Sequence, residues 1–264
     1  MEKYCFCFDI DGTLLPSSHQ ISASTLATLS RLQELGHKVV IATGRNYGSV
    51  KDSGVIDLFN WDGYVLNNGQ CVLDKEFNEV FVEKMEPELV QKIIDITNQE
   101  NLVCLLEEVK DWFIVQKTSE SVIKTHEFFH CPLPIQKEYD PSMEIVMFIV
   151  YAPKGYDYAP YKQLEELQVD EGNSHYADIV KKGYHKYKGI EKILEYFNLR
   201  NSVCFGDGSN DVQMIKEATI GVAMGNGCQE AKNVSDFITL SCENDGVTYA
   251  CEKLGFLKEN ACYY

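Results

Sequence analysis

Short apolar segments alternate with amphipathic ones along the first eighty residues. Tyr4–Phe8, Lys38–Ala42 and Gly63–Leu66 are mainly apolar, which is typical of strands buried on both faces of a sheet. Between the first two strands, residues 22–35 carry apolar side chains at helical spacing, with a serine as N-cap and Gly36 just past the end. This order predicts parallel strands joined by right-handed crossovers.

The same alternation returns in the last third of the chain. It predicts helices over 189–197, 211–218 and 246–254, and strands over 202–205, 220–223 and 237–240. We therefore predict an α/β, Rossmann-like core with a parallel sheet, built from residues 1–82 and 184–264.

Residues 83–183 follow a different pattern. Residues 101–116 resemble a β-hairpin, 144–151 a strand and 161–167 a short helix. Because the α/β alternation stops and then resumes, we predict that 83–183 form an α+β domain inserted into the core.

Charge restricts the partners. Against 24 Lys and Arg stand 40 Asp and Glu, giving a formal net charge of -16, which disfavours nucleic acids and anionic membranes. The longest apolar stretch, Ile145–Ala152, is too short to span a bilayer, and residues 1–13 do not resemble a secretory signal. Ten cysteines without a C-x-x-C pair indicate reduced thiols in a cytoplasmic protein. We expect a monomer or homodimer.

An acidic motif directly follows the first predicted strand. Asp9 and Asp11 lie two residues apart in DIDGT, where two carboxylates repel each other unless a cation lies between them. An ordinary Asp-Gly turn is the alternative. An EF-hand loop is excluded, because the positions that need Gly and Glu hold Leu14 and Gln20.

Further polar groups follow other predicted strands. GDGSND places Asp207, Asn210 and Asp211 after the strand at 202–205, although a turn with a helix N-cap would also explain them. Thr43, Gly44 and Arg45 follow the second strand, where Thr43 as a cap and Arg45 as a solvated charge are the alternative. The helix at 189–197 is preceded by four lysines: Lys181, Lys182, Lys186 and Lys188.

Together these groups indicate one chemistry. The carboxyl ends of parallel strands meet at one edge of a sheet, so the carboxylates, hydroxyl and lysine are expected to converge. Carboxylates hold a hard cation such as Mg²⁺, and hydroxyl, lysine and backbone N–H groups hold phosphate oxygens. The pattern therefore predicts a phosphoryl-transfer site.

The motifs resemble those of the haloacid dehalogenase (HAD) superfamily, in its Cof-type branch with a large α/β cap. FDIDGTLL, IATGR, KG and GDGSND occur in the family's order, followed by GVAMGNG and ENDGV, so the resemblance covers essentially the whole chain. The chain departs from the family in its lysine-rich KKGYHKYKGI, which leaves Lys186 as a competitor of Lys188, and in Gly227, where Ala is common.

The resemblance implies a phosphatase with named roles. Asp9 is the nucleophile that forms an aspartyl-phosphate, and Asp11 is the general acid and base. Mg²⁺ is bound by Asp9, the backbone carbonyl of Asp11, and Asp207, with Asp211 as a further or water-mediated ligand. Thr43, Gly44, Arg45, Lys188 and Asn210 hold the substrate and its phosphate, and Asn68 lines the entrance.

The inserted domain is expected to select the leaving group, through candidates such as Trp112, Tyr151, Tyr184 and His185. Small phosphorylated metabolites, preferentially sugar phosphates, are the expected substrates.

Two alternatives use similar residues. A phosphotransferase or phosphomutase differs only in the acceptor of the phosphoryl group. A non-catalytic phospho-acceptor signalling domain has no place for an insert of about 100 residues.

Overall fold

The structure is a computed structural model that describes residues 2–16, 20–128, 131–171 and 175–258. In this part of the chain the strands are β1 (Tyr4–Phe8), β2 (Lys38–Ala42), β3 (Gly63–Leu66), β4 (Cys71–Asp74), β5 (Glu79–Val82), β6 (Val103–Glu107), β7 (Trp112–Ile114), β8 (Ile135–Gln136), β9 (Met147–Tyr151), β10 (Leu167–Glu171), β11 (Tyr176–Lys181), β12 (Asn201–Gly206), β13 (Ile220–Ala223) and β14 (Phe237–Ile238). The helices are α1 (Ala23–Glu34), α2 (Tyr47–Asp52), α3 (Val55–Leu58), α4 (Pro87–Gln99), α5 (Glu120–Phe128), α6 (Ala159–Lys162), α7 (Lys186–Phe197), α8 (Val212–Glu217), α9 (Gln229–Val234) and α10 (Gly246–Lys253).

An eight-stranded sheet forms the centre of the first of two units. Its strand order is β14-β13-β12-β1-β2-β3-β4-β5. The strands from β14 to β3 pair in parallel, and β4 pairs antiparallel with β3. All five residues of β1 are buried, because strands on both sides and helices on the faces enclose it. The predicted α/β core with a parallel sheet is confirmed, with an antiparallel extension at one edge.

Local signals set the ends of the core helices. Ser22 caps α1 by accepting a hydrogen bond from the Thr25 N–H, and Gly36 follows the helix with a positive φ of 82°. The helix predicted over 189–197 is α7, which begins three residues earlier, at Lys186, and ends where Asn198 adopts the left-handed conformation.

The second unit contains a six-stranded sheet of order β10-β11-β9-β6-β7-β8. Its neighbouring strands pair antiparallel except for β7 and β8, so the predicted hairpin of β6 and β7 is present. Alternate residues of β6 face opposite clusters: Cys104 and Leu106 pack with α4, and Val103 and Leu105 pack with Val122 of α5. The short helix predicted over 161–167 is present but spans Ala159–Lys162, and Leu167 already pairs with Lys181 as the first residue of β10.

The second unit comprises Arg45–Val55 and Val82–Tyr184, and the rest of the chain forms the first unit. The segment 45–55 therefore differs from the predicted domain boundaries, which assigned it to the core. Contacts within the unit explain this, since Gly48 lies against the indole of Trp112 and the Asn46 side chain donates to Glu107 at 2.8 Å.

Both ends of the inserted segment join at Glu83. Its carboxylate accepts hydrogen bonds from the Lys181 ammonium and from the Tyr184 hydroxyl. Residues about one hundred positions apart in sequence are thereby held together within the second unit.

The helices of the described residues are all too short or too polar to cross a lipid bilayer.

Candidate active site

Asp9 follows directly after the buried strand β1. It is 6% exposed, and its backbone N–H donates to the Phe205 carbonyl on the neighbouring strand at 3.0 Å. The chain then turns tightly, because the N–H groups of Leu14 and Leu15 both donate to the Ile10 carbonyl, at 3.0 and 2.8 Å. The turn keeps the Asp9 carboxylate at the end of the sheet, beside the end of β12.

The second acidic loop meets the first at Asp207. Its Oδ1 accepts a hydrogen bond from the Thr13 hydroxyl at 3.1 Å, and a Cβ on Gly12 would lie 2.3 Å from its Oδ2. Gly12 also has a φ of +81°, so glycine is required there on both counts. The carboxylate of Asp211 accepts at Oδ2 from the backbone N–H groups of Asp207 and Gly208, each at 2.9 Å.

Lys186 joins the two acidic loops. Its side chain is fully buried, and its Nζ lies 2.6 Å from Oδ1 of Asp9 and 2.6 Å from Oδ1 of Asp211. Lys188, the lysine predicted for the site, instead pairs with Glu191 at 3.0 Å and is 44% exposed. The structure therefore places Lys186, and not Lys188, between the acidic loops. Two residues along a helix correspond to a rotation of about 200°, so the two lysines face opposite directions.

Crowded negative charge shifts the pKa values of the cluster. Burial, together with three neighbouring carboxylates, raises the pKa of Asp9 well above its usual range, although Lys186 opposes this shift. Burial and the nearby Asp211 raise the pKa of Asp207 to about 7. Burial alone lowers the pKa of Lys186, but the charges of Asp211 and Asp9 outweigh it and raise that pKa. One ammonium therefore does not balance the carboxylates around it.

The loops after β2 and β3 bring further predicted residues together. Thr43 is 2% exposed and its carbonyl accepts from the Asn68 N–H at 3.2 Å. Asn68 has a positive φ of 50°, and its Oδ1 accepts from Nδ2 of Asn210 at 3.3 Å. A Cβ on Gly44 would lie 3.0 Å from Asn68 Oδ1 and 3.4 Å from Asn210 Nδ2. Gly44, Asn68 and Asn210 therefore form one polar group.

The remaining predicted residues are distributed over the two units. Arg45 belongs to the second unit, where its Nη1 lies 3.4 Å from the Ser49 hydroxyl. In the same unit Tyr151 is buried and its hydroxyl lies 2.8 Å from Nε2 of His126. His185 belongs to the first unit, with Nε2 3.6 Å from a Glu217 oxygen.

The cluster offers a suitable set of ligands for a divalent cation. Asp9, Asp207 and Asp211 each place a carboxylate oxygen within 4.8 Å of the others. Oxygen donors with excess negative charge are what Mg²⁺ requires. Asp211 already uses both oxygens, one for Lys186 and one for two backbone N–H groups, so Asp9 and Asp207 are the better placed ligands.

Sequence reasoning did not single out the hydroxyl of Thr13, which is buried and orients Asp207. The signal was available, since Thr13 belongs to the same DIDGT motif as Asp9 and Asp11. For Lys186 no such signal was available: Lys186 lies in the first turn of α7, but the sequence predicts that this helix begins at residue 189.

Comparison with known proteins agrees with this architecture. The profile of the haloacid dehalogenase-like hydrolase family matches residues 6–251, and the chain belongs to this family. The 5-amino-6-(5-phospho-D-ribitylamino)uracil phosphatase YitU of Bacillus subtilis is 28% identical over 273 residues, covering 98% of this chain and 97% of its own.

Solved structures give the same result. The phosphatase BT1666 from Bacteroides thetaiotaomicron superposes with a TM-score of 0.87 at 25% identity, covering 97% of this chain and 96% of that one. The subclass IIB sugar phosphatase BT4131 gives a TM-score of 0.84 at 25% identity, covering 97% of this chain and all of the other. The predicted membership of the HAD superfamily is confirmed, and the protein is a Cof-type phosphatase.

Proposed function

We propose that this protein is a Mg²⁺-dependent phosphatase that hydrolyses small phosphorylated metabolites, preferentially sugar phosphates, through an aspartyl-phosphate. The observation that supports this most strongly is the buried cluster in which Lys186 contacts Asp9 and Asp211 at 2.6 Å, beside the Asp207 carboxylate. A buried carboxylate held by an ammonium is oriented for attack on phosphorus.

Asp9 and Asp11 divide the chemistry. The Asp9 carboxylate attacks phosphorus, an O–P bond forms, and the bond from phosphorus to the leaving oxygen breaks. Asp11 gives its proton to the leaving oxygen and then takes a proton from the water that attacks the aspartyl-phosphate. Hydrolysis releases phosphate and restores both side chains.

The metal site is proposed at Asp9, Asp207 and the backbone carbonyl of Asp11. Mg²⁺ bound there supplies positive charge that screens the carboxylates from a phosphate dianion. Asp211 acts instead as the residue that holds Lys186 and the 207–208 backbone in place.

The phosphate oxygens are assigned to the Thr43 hydroxyl, the Gly44 backbone, Lys186 and Asn210. The mutual contacts of Gly44, Asn68 and Asn210 support the proposal that these residues line the same side of the phosphate site. Arg45 is retained as a substrate-binding candidate.

The inserted unit is proposed as the cap that selects the leaving group. The similarity to BT4131, named as a sugar phosphatase, supports phosphorylated sugars, and YitU, named for a phosphorylated ribityl compound, is also compatible. A net charge of -16 argues against polyanionic substrates.

The test is turnover of a panel of phosphorylated metabolites with Mg²⁺, by the wild type and by Asp9→Asn. Asn keeps the shape of Asp9 and removes its nucleophilic charge, so kcat is expected to fall by several powers of ten. Near-normal turnover by the variant, or full activity of the wild type in EDTA, contradicts the mechanism. Appearance of the phosphoryl group on an added sugar rather than as free phosphate would favour a phosphotransferase or phosphomutase.

A further inference from the structure

A single exposed carboxamide, that of Asn226, connects three loops around the proposed metal site. Its Nδ2 donates to the Gly12 carbonyl at 2.8 Å and lies 3.5 Å from Oδ2 of Asp207. Its Oδ1 accepts from the Cys242 N–H at 2.8 Å. Only this orientation of the amide is consistent with its surroundings, because a flipped Oδ1 would face two oxygen atoms.

The loop that carries Asn226 follows the backbone of Asp207 closely. The Cys228 N–H donates to the Asp207 carbonyl at 2.8 Å. A Cβ on Gly227 would lie 3.1 Å from the Asp207 Cα and 2.9 Å from the Met224 carbonyl. The main chain of this loop thus fixes the position of the Asp207 backbone. The side chain of Asn226, which belongs to the same loop, lies against the Asp207 carboxylate.

Three groups surround the Asp207 carboxylate itself. Thr13 donates to Oδ1, while Oδ2 lies against Gly12 and Asn226. Asn226 also fixes the Gly12 carbonyl, and hence the backbone on which Oδ2 rests. Without the carboxamide, both the Oδ2 side of Asp207 and the 9–15 loop lose a restraint.

We propose that Asn226 is a positioning residue that holds Asp207 and the Gly12 backbone in the arrangement that binds Mg²⁺. The inference rests on the proposed function, because it assumes that Asp207 is a metal ligand. Groups that orient metal ligands commonly change metal affinity by about 10- to 100-fold when removed. Since the contact to Oδ2 is long, we expect an effect near the lower limit.

The test is calorimetric titration of the full-length protein with MgCl₂, for the wild type, Asn226→Ala, Asn226→Gln and the control Asn244→Ala. Asn244 is also an exposed asparagine, and within the described residues its Nδ2 donates to the Ser241 hydroxyl of its own turn, at 2.7 Å. We expect the Kd for Mg²⁺ to rise about tenfold in Asn226→Ala and to stay unchanged in Asn244→Ala.

A merely structural role predicts a different pattern, namely a lower Tm with an unchanged Kd for Mg²⁺, and that result overturns the proposal. If Asn226→Ala does not fold, Asn226→Gln decides. Its longer side chain cannot reach both Gly12 and Cys242 as the wild type does, so a Kd raised at least about threefold supports the proposal and an unchanged Kd overturns it. A wild type that binds no Mg²⁺ overturns the proposed metal site, and this inference with it. A wild type that binds Mg²⁺, with an unchanged Kd in the Asn226 variants, overturns this inference alone.

Discussion

Replacing Lys186 by methionine removes the only ammonium that contacts both acidic loops among the described residues. Methionine keeps most of the length and volume of the side chain but leaves Asp9 and Asp211 without their 2.6 Å partner. Breaking a buried ion pair from one side costs about 3–5 kcal/mol, because the remaining charge stays buried. For a protein of this size, about 2–4 °C per kcal/mol gives a fall in Tm of about 6–20 °C in EDTA.

Activity should fall independently of stability. Loss of one preorganised hydrogen-bond donor typically lowers kcat by about 10²–10³-fold. Lys186→Arg should not restore kcat, because the larger guanidinium does not fit a side-chain site with 0% exposure. The measurements are thermal unfolding in EDTA and steady-state turnover at saturating Mg²⁺, at a temperature where each variant is folded.

Lys188→Met is the matched control. Lys188 lies two residues away on the same helix, 44% exposed, and contacts Glu191 as a surface pair. Such pairs contribute at most about 0.5 kcal/mol, so both Tm and kcat should stay near the wild-type values. The reasoning is refuted if Lys186→Met keeps wild-type kcat, or if Lys188→Met loses activity to a similar extent.

Three further predictions concern other features. Gly12→Ala should abolish Mg²⁺-dependent turnover, because its Cβ would lie 2.3 Å from Asp207 Oδ2. The control Gly155→Ala has a similar φ of +85° but open space around its Cβ, so it should cost only about 1 kcal/mol in urea unfolding and leave kcat unchanged. Equal effects of the two substitutions on kcat would contradict this prediction. Burial lowers the pKa of His37 to about 4. Between pH 4 and 6.5 the unfolded chain therefore binds more protons than the folded protein, so the free energy of unfolding should fall by up to about 3 kcal/mol as the pH falls through that window. His37→Asn keeps an acceptor for the Tyr4 N–H and should flatten this part of the stability profile; an unchanged slope would disprove the assignment. Gly48→Ala should lower the Tm, since its Cβ would lie 1.5 Å from an atom of the Trp112 indole, and adding Trp112→Ala should relieve this overlap. A double variant no more stable than the sum of the two single effects predicts would contradict this explanation.

The sequence alone determined the core strands and the acidic loops that follow them. Tyr4–Phe8, Lys38–Ala42 and Gly63–Leu66 are strands with the bounds that their apolar character predicts. Since parallel strands end at a common edge, Asp9 and Asp207 were expected to meet, and their carboxylates do lie together. Both inferences depend on local pattern and on a topological rule that holds for nearly all such folds.

Only the tertiary structure places Lys186 rather than Lys188 between the acidic loops, assigns residues 45–55 to the second unit, and brings Asn226 to Gly12 and Asp207. The choice of lysine depends on where α7 begins and how it is rotated against the sheet, and a shift of two residues reverses the answer. Residues 45–55 follow a core strand, yet the contacts of Gly48 and Asn46 with Trp112 and Glu107 link them to the insert. Asn226 lies more than 200 residues from Gly12, and only the strand order β13-β12-β1 of the sheet brings its amide to that carbonyl. Local propensity carries no information on such long-range packing, because helix phase and loop contacts are set by the core that forms around them.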